Sequence, residues 1–279
     1  MGQDSETPAN ISAARTMGIQ APRQKPVLRR AQHPSSLPDL SIIVPTYRQA
    51  DVIGPQVTEI LECLDGTSLN YEVLVVIDGD DGSAHKLSQI GHDHLKIRVL
   101  DANTGKGNAV RYGLLNASGT CRGFIDGGGD IHIRYFLDAY EVFFSKAADV
   151  VVASKLHRAS EVEYPLLRRV YSWGYRQLTR LLFGLNIRDT QVGLKLYSAP
   201  VVEQVFPHVR TPGFAFDIES LALARRLGFT TILECPVKIA NRYPSTIGTG
   251  TAIGMFLETL HIFWRLRRFR PDSSWSQQR

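Results

Sequence analysis

Five short runs of almost unbroken apolar residues limit this chain's fold more than any other feature. They are Leu40-Ser41-Ile42-Ile43-Val44-Pro45, Tyr71-Glu72-Val73-Leu74-Val75-Val76-Ile77, Ile97-Arg98-Val99-Leu100, Gly123-Phe124-Ile125 and Val150-Val151-Val152-Ala153. A strand with one wet face alternates apolar and polar residues, whereas a continuous run is covered on both faces. Between the runs lie segments with helical spacing. The first, roughly 50–64, repeats Val52, Ile53, Val57, Ile60, Leu61 and Leu64; others run from near Gly105 to about Ala117 and over 133–147. Strands alternating with helices predict an α/β fold, a Rossmann-like and mostly parallel sheet flanked by helices. The second half is more helical, with helices expected over Pro165–Gly184, 198–207 and 215–227 and a late strand over Thr230–Val237. With 279 residues the chain can hold one large domain or two small ones.

In open sheets of this kind, ligands bind beyond the carboxyl ends of the strands. The fourth run ends there in Asp126-Gly127-Gly128-Gly129-Asp130, two carboxylates separated by glycines that let a ligand approach the backbone. Hard oxygen ligands at such a place suit Mg²⁺ or Mn²⁺ bound to a diphosphate, and the competing reading is a solvated Asp/Gly turn. Asp78 ends the second run at the same edge. Asn103-Thr104-Gly105-Lys106-Gly107-Asn108 fails the Walker pattern but leaves a glycine-flanked lysine at a helix N-terminus, where a diphosphate can lie. In Arg188-Asp189-Thr190-Gln191-Val192-Gly193-Leu194-Lys195-Leu196-Tyr197, an extended backbone turns Lys195 away from Leu194 and Leu196. It is then either a point charge for phosphate in the cleft or a solvated lysine on an edge strand. Asp217 and Glu219 open a helix and suit its dipole. His157, Arg158, Arg168 and Arg169 follow the fifth run, either as an anion site or as a solvated face.

The ends differ in character. Residues 1–38 are rich in Pro, Gln, Ser, Ala and Arg without hydrophobic period and are expected to form a flexible basic tail. Residues 251–279 are expected to form an amphipathic helix and a tail. Ile253, Phe256, Leu257, Leu260, Phe263 and Trp264 share one helical face, and Arg265, Arg267, Arg268 and Arg270 crowd its end. Such a helix lies either in an anionic membrane interface or docked on the domain. The net charge of +5 favours an anionic partner, while no zinc-finger spacing or recognition helix points to nucleic acid. Three widely spaced cysteines, Cys63, Cys121 and Cys235, argue against a disulfide framework and suggest a reducing cytoplasm. No run of about 18 uncharged apolar residues predicts a membrane span.

Taken in order, these segments resemble the family 2 glycosyltransferases, which have the GT-A fold, over roughly residues 39–250. Ser41 to Tyr47 is similar to the family's opening strand and nucleotide loop, and Val75 to Ser83 to its second nucleotide loop. Asp126 to Asp130 falls where the family carries its Asp-x-Asp motif, with Gly128 in place of the second Asp. Gly105 to Arg111, Arg188 to Tyr197 and Phe216 to Glu219 are most similar to the dolichyl- or polyprenyl-phosphate glucosyl- and mannosyltransferases. The lysine that relatives often carry in the loop matching Pro244–Gly248 is absent.

The resemblance implies an inverting, metal-dependent transfer of a hexose from a UDP-glucose or GDP-mannose type donor to a polyprenyl or dolichyl phosphate. It assigns Pro45, Thr46, Tyr47 and Asp78 to the base and ribose side of the nucleotide sugar, and places Lys106 and Arg111 near the nucleotide. Asp126 and Asp130 become the ligands of Mg²⁺ or Mn²⁺, and Lys155, Arg168 and Lys195 the candidates to bind the acceptor phosphate. Asp126, Asp217 and Lys195 form the expected catalytic set, in a cytoplasmic enzyme lying peripherally on the membrane's inner face. Two other readings stay open. One is a soluble transferase acting on a hydroxyl, with Asp217 as base. The other is a non-catalytic nucleotide-sugar-binding protein, which the glycine at 128 motivates.

Overall fold

The computed structural model describes residues 37–157, 160, 166–239 and 249–269, excepting the side chains of 166–173 and 249–253. Most of the N-terminal tail, Arg158, the Pro244–Gly248 loop, Arg270, and the side chains of Arg168, Arg169 and Ile253 lie outside the described residues. Seven strands form one sheet: β1 (Leu40–Thr46), β2 (Tyr71–Asp78), β3 (Leu95–Leu100), β4 (Cys121–Ile125), β5 (Val150–Ser154), β6 (Leu194–Ser198) and β7 (Ile232–Pro236). Their order across the sheet is β3-β2-β1-β4-β6-β5-β7. All neighbouring pairs are parallel except those made by β6, which runs antiparallel to both β4 and β5.

The expected continuity of apolar residues has its cause in the layers. Alternate β1 residues Leu40, Ile42 and Val44 pack beneath α1 (Ile53–Asp65), α2 (Ser83–Ser88) and α4 (Ile133–Ser145). Ile43 faces the other way, with Leu74 and Val76, toward α3 (Lys106–Asn116), α6 (Ala199–Val205), α7 (Phe216–Arg226) and α8 (Thr249–Arg268). Helix α5 (Leu166–Phe183) joins this second layer through Tyr175 and Phe183. The short helix α2 was not anticipated, since six residues carry too little periodicity to be seen.

At the amino ends of the central strands, Glu72 holds several elements together. Its Oε1 accepts from Ser41 Oγ at 2.6 Å and from the Ser118 amide at 2.7 Å, and Lys96 Nζ lies 2.6 Å from its Oε2. Burial alone would raise the Glu72 pKa, but these donors outweigh it and hold the carboxyl down at about 2.

One expectation is corrected here. The segment carrying Lys195 is not a solvated edge strand: β6 is bonded on both sides, and Lys195 is fully buried. Helix α8 docks on the domain through a stripe other than the aromatic face expected at a membrane interface. Met255, Thr259, Ile262 and Leu266, spaced at helical turns, are its buried residues among the described side chains. Phe256, Leu257 and Trp264 point outward, with 44–59% of their surface exposed.

Candidate active site

The carboxyl ends of β1, β2 and β4 bring the acidic strand end and the lysine loop together. Asp126 follows β4 directly, and its backbone is fixed on two sides. Its amide donates to the Gly193 carbonyl at 2.9 Å, and its own carbonyl accepts from Gln56 Nε2 of α1 at 2.7 Å. Its carboxylate lies against Gly193, where any Cβ would stand 1.8 Å from Oδ2. The next residue is equally confined: a Cβ at Gly127 would meet Gln49 Oε1 at 2.6 Å and the Pro45 carbonyl at 2.7 Å. Only glycine fits at either place, so the side chain of Asp126 is aimed by its neighbours' lack of one.

Lys106, the first residue of α3, reaches this carboxylate, its Nζ 2.6 Å from Asp126 Oδ1. The ammonium also lies over the rings of Phe124 and Phe214, at 5.7 and 5.6 Å from their centres. Burial works against its charge, but Asp126 and then Asp217 outweigh that and hold its pKa above that of a free lysine. The loop before it is built by two other groups. Asp78 Oδ1 accepts from the amide and hydroxyl of Thr104 at 2.7 and 2.9 Å, and its Oδ2 from the Gly105 amide at 2.8 Å. On the far side the Gly107 amide donates to Pro212, whose carbonyl would stand 2.5 Å from a Cβ at Gly105.

Behind Phe124 lies a second ion pair. Lys195 Nζ is 2.8 Å from Asp217 Oδ1, donates to the Val192 carbonyl at 2.8 Å, and covers the Phe124 ring at 5.3 Å. Both side chains are almost wholly buried. Desolvation therefore lowers the lysine and raises the aspartic acid, moving the pair toward neutrality. Glu219, two residues further along α7, is not a solvated dipole partner either. Its Oε2 accepts from the amides of Arg210 and Thr211, and its Oε1 pairs with Arg265 of α8.

The predicted residues thus fall into groups. Lys106, Asp126, Lys195 and Asp217 form one cluster of two cations and two anions. Lys155 stands at its margin, 3.9 Å from Asp189, whose charge reaches Lys195. Thr46 binds Gln49 at 3.1 Å, and Tyr47 is 42% exposed beside Arg48, a non-glycine residue at φ +54°. Strain of that kind gathers at ligand loops. Two residues are used otherwise than expected. Arg111 turns away, its Nε donating to the Phe206 carbonyl at 2.9 Å, and the Asp78 carboxylate is spent on the Thr104–Gly105 loop. Sequence reading missed Gly193, Gln49, Gln56 and Phe214 as parts of the site. The glycine in the polar run before β6 was the one available signal.

The donor set suits a divalent cation delivered with a substrate. Asp126 and Asp130 flank the turn, and a Cβ at Gly128 would lie no closer than 3.4 Å to Gln49 Nε2 and 4.0 Å to Asp130 Oδ2. A third carboxylate is therefore missing from the sequence rather than excluded by space. No group of three His, Cys, Asp or Glu side chains converges among the described residues. One or two carboxylates completed by phosphate oxygens is a common way to hold Mg²⁺, and the Lys106 ammonium already stands as a cation at Asp126. A separate recess of about 330 Å³, lined in part by Arg176, Arg180, Arg188 and Glu234, shares no residue with this cluster.

Comparison with known proteins agrees with this architecture. The glycosyl transferase family 2 model matches residues 41–206. The dolichyl-phosphate beta-glucosyltransferase of Drosophila melanogaster is 31% identical over 208 residues, covering 68% of this chain and 63% of that one. Enzymes of the same name from Saccharomyces cerevisiae and Homo sapiens are 27% and 26% identical, each over 67% of this chain and 63% of their own length. The chain thus spans somewhat less than two thirds of these relatives. Among solved structures, glucosyl-3-phosphoglycerate synthase from Mycobacterium tuberculosis, in complex with Mn²⁺, UDP and phosphoglyceric acid, superposes with a TM-score of 0.61 at 18% identity. That match covers 88% of each chain. The same enzyme with Mn²⁺, UDP-glucose and phosphoglyceric acid gives 0.62 at 17% identity, over 85% of this chain and 82% of that one. The sheet with its inserted antiparallel strand is the GT-A fold, and the chain belongs to glycosyl transferase family 2.

Proposed function

We propose that this protein transfers glucose from UDP-glucose to a polyprenyl or dolichyl phosphate with inversion at the anomeric carbon. The observation that carries the choice of acceptor is the state of Asp217. A hydroxyl acceptor needs a base to take its proton, and Asp217 was the candidate. That carboxylate is 2% exposed and paired with Lys195. A phosphate monoester has a second pKa of about 6 and arrives already anionic near neutral pH, so it needs no such base. The beta-glucosyltransferase names of the relatives point the same way, since a β-linked product from an α-linked donor requires inversion.

In this reading the donor's diphosphate lies over the amino end of α3, where the helix dipole and Lys106 favour negative charge. The exposed Tyr47–Arg48 turn borders the base side. Asp126 and Asp130 would hold Mg²⁺ or Mn²⁺, which when bound stabilises charge on the departing diphosphate. The acceptor's phosphate oxygen bonds to C1 of glucose as the bond from C1 to UDP breaks, through an oxocarbenium-like transition state. Lys155, at the cluster's margin beside Asp189, would receive the acceptor phosphate. Lys195 acts by holding Asp217, and positioning with electrostatics supplies the rate.

Helix α8 brings the enzyme to the lipid. Its outward residues Phe256, Leu257 and Trp264, with Arg267 over the rings of Phe263 and Trp264, form an apolar and basic face suited to an anionic membrane interface. No helix among the described residues is long and apolar enough to cross a membrane.

The test is a panel of UDP-glucose, UDP-N-acetylglucosamine, UDP-galactose and GDP-mannose, each with short-chain polyprenyl phosphate or with hydroxyl acceptors, with and without Mn²⁺. Metal-dependent glucose transfer to the lipid phosphate is expected. Transfer to hydroxyl acceptors alone would reject the acceptor assignment. Donor binding without any product would favour a non-catalytic protein.

A further inference from the structure

We propose that Lys106 is the resident counter-cation of Asp126, and that a divalent cation enters this site only together with a diphosphate that takes the Lys106 ammonium over. The inference rests on the nucleotide-sugar reading above and concerns the order in which that site fills.

Three observations carry it. The ammonium lies 2.6 Å from Asp126 Oδ1, on the carboxylate the metal would use. It is held there by the faces of Phe124 and Phe214, with 18% of the lysine side chain and 38% of the aspartate side chain exposed. Lys106 and Lys195 balance Asp126 and Asp217, and Asp130 across the turn adds a further carboxylate. A divalent cation arriving alone must compete with the Lys106 ammonium for Asp126. A divalent cation arriving with the doubly negative diphosphate of a nucleotide sugar brings an anion that takes the ammonium over. Lys106 needs no new position in the fold to change partners: it is the first residue of α3, where the helix dipole favours negative charge.

The glycine at 128 acquires a reason on this account. A third carboxylate there would give a divalent cation a ligand that Lys106 does not occupy. With glycine there, occupancy by metal depends on the donor. By linkage the dependence is mutual, so metal tightens diphosphate by the same factor as diphosphate tightens metal.

Mn²⁺ binding by purified full-length protein, followed by electron paramagnetic resonance of the free ion, tests this without turnover. In the unmodified protein, Mn²⁺ alone should bind weakly, and saturating UDP should tighten it at least about tenfold, the scale of an ordinary coupling between sites. Lys106→Met should tighten Mn²⁺ alone by about tenfold or more, because Asp126 loses its counter-ion, and should shrink the effect of UDP. Lys106→Arg, which keeps the charge, should leave Mn²⁺ alone weak. Circular dichroism and thermal melting establish that each variant is folded. If Lys106→Met folds and binds Mn²⁺ alone no more tightly than the unmodified protein, the counter-cation role is wrong. If Mn²⁺ and UDP bind the unmodified protein independently, the inference fails whatever the variants do, while the proposed reaction survives. If neither UDP nor Mn²⁺ binds, both fall together.

Discussion

Asp126 is aimed by two glycines and one lysine, and each can be removed singly. A Cβ at Gly193 would overlap the Asp126 carboxylate. Gly193→Ala should therefore lower kcat/KM by roughly 100-fold, the cost of a small misplacement at a reacting centre, while the melting temperature changes little. Steady-state kinetics beside a thermal melt checks this. Asp217 makes the opposite prediction. Asp217→Asn leaves Lys195 buried without its anion and should cost about 3–5 kcal/mol in urea unfolding. Lys195→Met combined with Asp217→Leu should recover much of that loss, because burying no charge is cheaper than burying one. At this scale the sequence was legible where chemistry is local. Asp126 stood out because a strand end with glycines is short-range information. Lys195 was singled out too, but its partners were hidden, because alternation showed which way it points and not that Phe124 and Asp217 roof that face. The partners of Arg111 and Asp78, Phe206 and the Thr104–Gly105 amides, were hidden for the same reason: they are set by packing.

Among the elements, strands and helices with continuous or periodic apolar residues were legible within a few positions. Strand β6 showed its extended character but not its place, since nothing in five residues states that both neighbours run the other way. Helix α8 was legible but its docking stripe was not, because that stripe contains Thr259, a polar residue buried by hydrogen bonds to the Met255 carbonyl and to Tyr175. Element junctions also set the response to acid. Glu72 ties β2 to Ser41 of β1, Lys96 of β3 and the turn before β4. Its folded pKa of about 2 lies below the ordinary 4.5, so its stabilisation is complete above the unfolded value and is lost as pH falls toward 2. Glu72→Gln should thus be less stable at neutral pH and show a shallower fall in unfolding free energy below about pH 4.5. Urea melts of both proteins across that range read it directly.

At the scale of the molecule, the site and the outward face of α8 are mechanically joined. Arg265 of α8 pairs with Glu219, which holds the Arg210 and Thr211 amides of the loop whose Pro212 carbonyl receives the Gly107 amide beside Lys106. Leu257→Glu with Trp264→Ser should abolish co-flotation with vesicles rich in anionic lipid, with UDP binding unchanged. If flotation persists in the double variant, the membrane face lies elsewhere. Helix, loop and lysine were each visible in the sequence, whereas their linkage depends on the buried pair between α7 and α8.

The insertion of β6 between β4 and β5 bears on how the chain is made. During synthesis β3, β2, β1 and β4 can pair as soon as they emerge, in a parallel half-sheet whose last edge is β4. That edge, buried on both faces and free of charge along Gly123-Phe124-Ile125, stays unpaired until residue 198 has left the ribosome. An open apolar edge is a template for pairing with another chain. Nascent chains stalled or cleaved between β5 and β6 would therefore be the aggregating species, and the same late strand that seals the edge brings Gly193 to Asp126.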